Sequence, residues 1–343
     1  MDNRLRKKAL TQQKNITIQD IADNLGLSKT TISRVISGKG RIGNDTREKV
    51  LSYIAEHGFQ PNHIAKSLAV SKTFNIAVTL PTDTELYEIP FFQTCLQSIT
   101  ETVNARDYDV VLSVMTGANI SGLRRLLQNQ KVDGVILTRL LSDDRALALL
   151  RDFNIPFAVI GSINDNSIIQ IDSDHRSGCR EVMEHVLAKG NRKNILLAGN
   201  PEYQVNKDRY SGFTSALDAI GCKSDEETVF WDVIDCNRID AIMREVMDQK
   251  PDCLVCMDDV ICTRVLRWLS KKGYRIPSDV RIVSFHDSAE IEQHEPPITA
   301  LHINVPALGS KAGTVLLDAI VGRQVEQVNR IGYALRIRES SNS

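Results

Sequence analysis

GLSKTTISRVISGKGRIG, residues 26–43, carries two readings that exclude each other. Its tail, GKGRIG, spells G-x-G-x-x-G, the loop that cradles a dinucleotide when a strand precedes it and a helix follows directly. Its front has the spacing of a short helix, with Ile32, Val35 and Ile36 on one side and Lys29, Thr30, Thr31, Ser33 and Arg34 on the other. Upstream, Thr17 and Asp20 form a T-x-x-D capping box before a helix on which Ile18, Ile21, Ala22 and Leu25 recur. Gly26 closes that helix, Leu27 packs across the turn, and Ser28 caps the next one. A third stripe, Val50, Leu51, Ile54 and Ala55, is expected to face inward and to stop at Gly58. Gly38, Gly40 and Gly43 therefore follow a helix rather than a strand. The stretch reads as a helix-turn-helix unit, and no cofactor is expected.

Charge supports that reading. The 343-residue chain has a net charge of -1, yet residues 1–72 carry 13 Lys+Arg against 6 Asp+Glu, leaving 29 against 37 for the rest. A basic head on an acidic body suits a polyanionic partner. The side chains opposite the apolar face supply the donors that phosphates and guanine edges require. The basic N-terminus lacks the apolar run of a signal peptide, no stretch is long enough to span a membrane, and the 7 cysteines then read as free thiols in a reducing cytoplasm.

From Phe74 onward, short apolar runs alternate with helical segments. The runs are FNIAVTL, YDVVLSV, GVILT, FAVIG, IIQID, NILLAGN, VFWDVI, CLVCM and RIVSF; helical segments include 91–105, 143–152, 175–189, 239–248 and 259–272. This alternation predicts an α/β body of parallel, doubly wound sheets covered on both faces. So long a stretch predicts two lobes, with ligands bound beyond the strand ends between them.

The phrases I-x-D-I-A, G-L-S-K-T-T-I-S-R-V, T-R-E-K-V and P-N-x-x-A-x-S-L resemble the headpiece of the lactose-repressor (LacI/GalR) family of bacterial transcription regulators. IPFAVIG, NILLAGNPE, RYSGFTSAL, GYRIPSDVRIVSFHDS and PPITALHINVPALGSKAG extend the resemblance over essentially the whole chain. It implies a helix-turn-helix headpiece at 15–59, a hinge at 60–73 that turns helical on DNA, and a periplasmic-binding-protein-like effector core at 74–343. The first lobe is expected near 74–172 and 303–330, the second near 173–299 and 331–338.

By the same resemblance Lys29, Thr30 and Arg34 would read bases in the major groove. Ser28, Thr31, Ser33, Arg41 and Thr46 would position the helix on the DNA backbone, and Leu68 would wedge into the minor groove. In the cleft, Phe91 and Phe92 match aromatic positions that pack on the effector. Asp172 matches a carboxylate that accepts its hydroxyls, and Arg209, in R-x-x-G-F, matches the arginine that clamps it. Two places depart from the pattern. Met257-Asp258-Asp259 stands where many members read A-N-D, and Ser284-Phe285-His286-Asp287 where many read G-[FY]-D-D. His286 thus occupies a site usually held by a ligand-binding aspartate, which suits other hydroxyl patterns or an acidic ligand; a structural histidine is the other reading.

Enzymatic signatures are absent: there is no G-x-S-x-G, H-E-x-x-H or P-loop. Cys253 and Cys256 form a lone C-x-x-C in an apolar run and read as small buried hydrophobes; no metal is expected. Tyr203 and Trp231 fall near the expected cleft with no direction assigned. The expectation is a non-enzymatic repressor of carbohydrate-utilisation genes that binds a near-palindromic operator as a homodimer. A sugar or sugar derivative in the cleft would set operator affinity. Alternatives are control by a nucleobase or protein corepressor and, more remotely, a sugar-binding protein or carbohydrate enzyme. The C-terminus lacks a heptad extension, so dimers rather than tetramers are expected.

Overall fold

A computed structural model describes residues 16–37, 40–59, 67, 71–81, 90–116, 119–140, 145–222, 228–233 and 238–342. It divides between Lys72 and Thr73 into two compact units.

In the first unit three helices, α1 (Ile18–Leu25), α2 (Lys29–Ser37) and α3 (Asn44–Glu56), enclose a small core of Ile21, Ala22, Ile32, Val35, Val50 and Phe59. The caps set the geometry. Thr17 accepts the Asp20 amide while the Asp20 side chain accepts the Thr17 amide, and Gly26 ends α1 in the left-handed region at φ 65°. The Thr31 amide then donates to Ser28 Oγ at 3.1 Å and starts α2. One expectation fails: Leu51 is 47% exposed and Ala55 is exposed too. Each residue turns about 100° around a helix, so a core this small takes only the Val50 stripe, with Tyr53 and Ile54 at its margin.

The second unit is α/β and holds two six-stranded sheets. The first is ordered β11-β5-β4-β3-β1-β2 and is parallel throughout. Its strands are β1 (Asn75–Pro81), β2 (Asp109–Met115), β3 (Gly134–Leu137), β4 (Phe157–Ile160), β5 (Ile169–Ser173) and β11 (Val328–Ile331). The second is ordered β12-β10-β9-β8-β6-β7 and is parallel except that β12 runs antiparallel to β10. It contains β6 (Asn194–Leu197), β7 (Val229–Phe230), β8 (Cys253–Cys256), β9 (Arg281–Ser284), β10 (Thr299–Ile303) and β12 (Tyr333–Arg336). Helices cover both faces of each sheet, so central strands such as β3 and β8 are buried end to end, and β1 is buried after Asn75. Edge strand β2 differs: Leu112 is 51% and Val114 55% exposed.

Reading each sheet from its β2 or β7 edge gives the same order, second strand, first, third, fourth, fifth. The winding therefore reverses beside β1 and β3 in one lobe and beside β6 and β8 in the other, where open sheets of this kind take ligands. The chain crosses between lobes after β5, after β10 and after β11. Asp174 caps the helix that follows the first crossing by accepting the Ser177 amide, and Asn304 caps the helix after the second by accepting that of Ala307. The lobe limits differ slightly from those expected. Ser173 still pairs with Ile331 in the first sheet, and Thr299–Ile303 belong to the second, because ladder pairing runs up to each crossing. The expected VFWDVI strand shortens to Val229–Phe230.

Candidate functional sites

Helix α2 is two-sided. Ile32 and Val35 are buried, whereas Lys29, Thr30, Ser33 and Arg34 are exposed. The Thr31 hydroxyl is 2.9 Å from Ser28 Oγ, so these two polar side chains also fix the start of the helix. Arg34 runs against Gly40, where an added Cβ would lie 3.4 Å from its Cδ; this steers the guanidinium along the loop after the helix. Arg41 is exposed there, and Thr46 is half-buried in the first turn of α3. These residues form one donor-rich surface with no carboxylate on the α2 segment. Leu68 and most of the expected hinge lie outside the described residues.

The second candidate site is where the ends of the two sheets face each other. Phe91, at the start of α4 (Pro90–Asn104), makes an edge contact with Phe92 at 5.3 Å. Its ring centroid also lies 6.1 Å from that of His286, just past β9 of the other lobe. Phe92 is buried, so only Phe91 of the pair offers surface to the gap. Arg139, just past β3, lies 4.5 Å over the ring of Tyr203, which precedes the helix Gln204–Ala219 of the second lobe; this cation–aromatic contact bridges the lobes. Arg209, on that helix, is 7% exposed and donates through Nη1 to the Met257 carbonyl at 2.9 Å, while its Nε is buried without a hydrogen-bond partner.

The acidic groups are occupied differently. Asp172 is the last residue but one of β5, beside the first crossing, and is buried, with Oδ2 accepting the Ser162 hydroxyl at 2.6 Å and Oδ1 the Ser173 amide at 2.8 Å. His175 Nε2 lies 3.3 Å and Arg330 Nη1 3.8 Å away. Burial alone would raise this carboxyl's pKa; the His175 charge and the hydrogen bonds outweigh it and hold the group below the ordinary range. Asp172 is thus bound into the crossing, and its oxygens serve protein donors. Asp258 caps the helix Asp259–Lys272 by accepting the Ile261 amide at 2.8 Å; burial, then the neighbouring Asp259, push its pKa up. Asp259 Oδ1 is 3.0 Å from His286 Nδ1, and although burial opposes it, the His286 hydrogen bond and charge keep this carboxyl below its usual value. His286 therefore spends one ring nitrogen on Asp259 and turns its ring toward Phe91.

Sequence reasoning did not find Arg139, Ser162, His175 or Asp208. Arg139 had a signal, since it follows the carboxyl end of a predicted central strand. Asp208 is half-buried, and burial followed by the charge of Asp172 raises its pKa against the Gln204 hydrogen bond. Tyr203 faces Arg139, whereas Trp231 packs on Tyr210 at 5.3 Å. Cys253 and Cys256 are fully buried in β8, and burial pushes both thiols up. A surface hollow of about 590 Å³, lined by Asp252, Tyr274, Asp279 and Arg281 among others, lies at the amino ends of β8 and β9, opposite the end that faces the first lobe.

Comparison with known proteins adds three findings. Residues 17–62 match the family described as bacterial regulatory proteins, lacI family, and residues 183–341 match a periplasmic binding protein-like domain. The HTH-type transcriptional regulator CelR of Thermobifida fusca is 28% identical over 339 residues, covering 96% of this chain and 100% of that one. Among solved structures, a CelR–cellobiose complex superposes with a TM-score of 0.70 at 27% identity, over 95% of this chain and 99% of that one. The lac repressor dimer bound to operator and the anti-inducer ONPF superposes with a TM-score of 0.81 at 22% identity, over 96% and 100%, and speaks for the fold.

Proposed function

We infer the function from one premise: the chain belongs to the lacI family of bacterial regulatory proteins. Members of that family regulate transcription by binding DNA and are not enzymes. We propose that this chain reads its operator with α2, Lys29, Thr30 and Arg34 reaching base edges and Ser28, Thr31, Ser33, Arg41 and Thr46 holding phosphates. The observation that carries this is the division of α2 into a buried apolar face and an exposed face of donors. Arg34→Ala should weaken binding to the preferred duplex by about 10- to 100-fold, the worth of one bidentate base contact. Fluorescence anisotropy with a labelled duplex checks this, and an unchanged affinity would remove Arg34 from the base-reading set.

The proposed assembly is a homodimer working in the cytoplasm, where its operator lies. Leu112 and Val114 sit two residues apart on an edge strand and so share a face; an exposed apolar edge of this kind calls for a cover, and a second copy supplies one. The lac repressor structure is a dimer on its operator.

The proposed effector is a sugar or sugar derivative held between the lobes, and the proposed genes are those of carbohydrate use. The support is the CelR–cellobiose complex together with an aromatic, Phe91, whose ring faces His286, in a lobe that also supplies Arg209 and Asp258. An apolar sugar face stacks on such a ring while buried donors and acceptors select its hydroxyls. Cellobiose and maltose are the first probes. A ligand at 100 times its Kd should stabilise the chain by about 2.7 kcal/mol. That amounts to several degrees in a thermal shift, roughly 2 °C or more per kcal/mol. Arg209→Ala should abolish the shift while leaving DNA affinity intact. A variant that keeps the full shift would overturn the cleft assignment, and a ligand that tightens operator binding would make it a corepressor.

A further inference from the structure

The chain enters the second unit at Thr73, and one side chain receives it. The Thr73 amide and hydroxyl donate to Asp133 Oδ1 at 2.8 and 2.9 Å, and the Phe74 amide donates to Oδ2 at 2.9 Å. A carboxylate offers about four lone-pair directions, and here two consecutive residues take three of them. Both the position and the direction of the backbone are therefore fixed. Phe74 stands at φ 56°, a left-handed conformation that residues with a β-carbon avoid. Such a residue persists only where its surroundings over-determine it. Its carbonyl accepts the Asp109 amide at 2.8 Å, and its ring lies 5.5 Å from that of Tyr108 against the first lobe's core. Asp133 is itself held by the sheet: its amide donates to the Asn75 carbonyl at 2.7 Å, and it leads directly into β3, which is buried throughout. At the far end of β3 the Thr138 hydroxyl donates to the Thr79 carbonyl at 2.6 Å, and Arg139 follows.

We propose that Asp133 is a positioning residue for operator binding: it fixes where and in which direction the chain leaves the body toward the headpiece, and so sets the separation of the two headpieces in a dimer. This rests on the symmetric-dimer reading above. Asp133 lies in the second unit and makes its contacts within it, so its effect on DNA is geometric and not a matter of charge.

The test uses the full chain and a symmetric duplex selected by the wild type from a random library, with companions lengthened or shortened by one base pair at the centre. The wild type should prefer the selected spacing. Asp133→Asn replaces one acceptor oxygen by a donor and cannot take all three hydrogen bonds; affinity for the selected duplex should fall about tenfold. The preference over the altered spacings should shrink in parallel. The slope of affinity against salt should stay the same, because no phosphate contact is lost. Thr73→Val removes the hydroxyl, which donates to Asp133 and accepts the Asn75 amide, while the two backbone amides still reach the carboxylate; it should cost about two- to threefold with the same loss of spacing preference. It decides the matter if Asp133→Asn fails to fold. Unchanged affinity and spacing preference in both variants, or a loss equal on every duplex, would overturn the proposal. A wild type indifferent to spacing would overturn the dimer reading and the anchor with it.

Discussion

The two lobes share a strand order and a way of joining helices, but they differ in how far along the chain the joined helices lie. In the second lobe, His175–Ala188 meets Gln204–Ala219, its near neighbour; in the first, Pro90–Asn104 meets Val305–Ile320, which follows all of the second lobe but its last strand, β12. Each pair closes at a glycine. A Cβ on Gly212 would lie 2.5 Å from the Arg176 carbonyl oxygen and 2.8 Å from Cys179 Cβ; one on Gly309 would lie 2.7 Å from the Cys95 carbonyl oxygen and 2.9 Å from Ser98 Cβ. The same contact thus serves a local and a remote pairing. The remote one closes a loop longer by nearly three doublings, about 1.6 kcal/mol more of closure entropy at about 0.6 per doubling. This entropy scales gently enough for a lobe to borrow a core helix from far along the chain.

The largest expected effect puts that equivalence under strain. Gly212→Ala and Gly309→Ala should each cost about 2–3 kcal/mol, because backbone atoms must yield to the new methyl group. Hydrogen exchange followed through each lobe checks this. Exchange that rises only in the altered lobe makes the lobes independent units, and a rise in both makes them one cooperative body despite their separate cores. A smaller effect separates them by charge. Asp172 at the crossing and Asp259 in the second lobe are both held below the ordinary carboxylate range. Their folded pKa lies below the unfolded value of about 3.9, so the stability they confer is present above that pH and is lost as pH falls through the folded value. Asp172→Asn and Asp259→Asn should each cost about 1–3 kcal/mol at pH 7 in urea unfolding, with the gap to wild type narrowing as pH falls from about 3.9 through the folded value. A gap that does not narrow at all on acidification would show that packing, not ionisation, is what the carboxylates supply. The smallest effect has the opposite sign. The Asp208 pKa is raised, so its ionised form works against folding at neutral pH, and Asp208→Asn should stabilise. Half-exposed as it is, solvent screening leaves a gain on the order of tenths of a kcal/mol, measurable as a small rise in Tm.

The fold was legible because parallel sheets covered on both faces leave unbroken apolar runs. GVILT, FAVIG and CLVCM, short apolar runs between helical segments, read as central strands, and α2 showed its two faces in the spacing of Ile32 and Val35. Leu51 misled because apolar character does not reveal how wide a stripe a three-helix core can cover. The candidate cleft was legible only as an address. Strand ends and the resemblance pointed to Asp172, Arg209 and His286, but a carboxylate's partners are chosen in space. Ser162, His175 and Arg330 reach Asp172 from three elements, and Asp259 reaches His286 from the next strand's loop. Pairing of that kind leaves no periodic trace. Arg139 and Tyr203 meet only because two lobes bring them together, a relation invisible along either segment.

The separation of Pro90–Asn104 from Val305–Ile320 is also an interval of time. At synthesis rates of about 5–20 residues per second, roughly 10–40 s pass between the emergence of the two helices from the ribosome. Throughout it Cys95, Ile99 and Val103 can pack against earlier members of their core such as Ile76, Val78 and Ile136, but they lack Leu308, Ala312 and Val315, which complete it. The second lobe meets no such delay, since its paired helices leave the ribosome one after the other. The first lobe's core therefore keeps one open face until most of the chain has been translated, whereas the second lobe waits only for its edge strand β12.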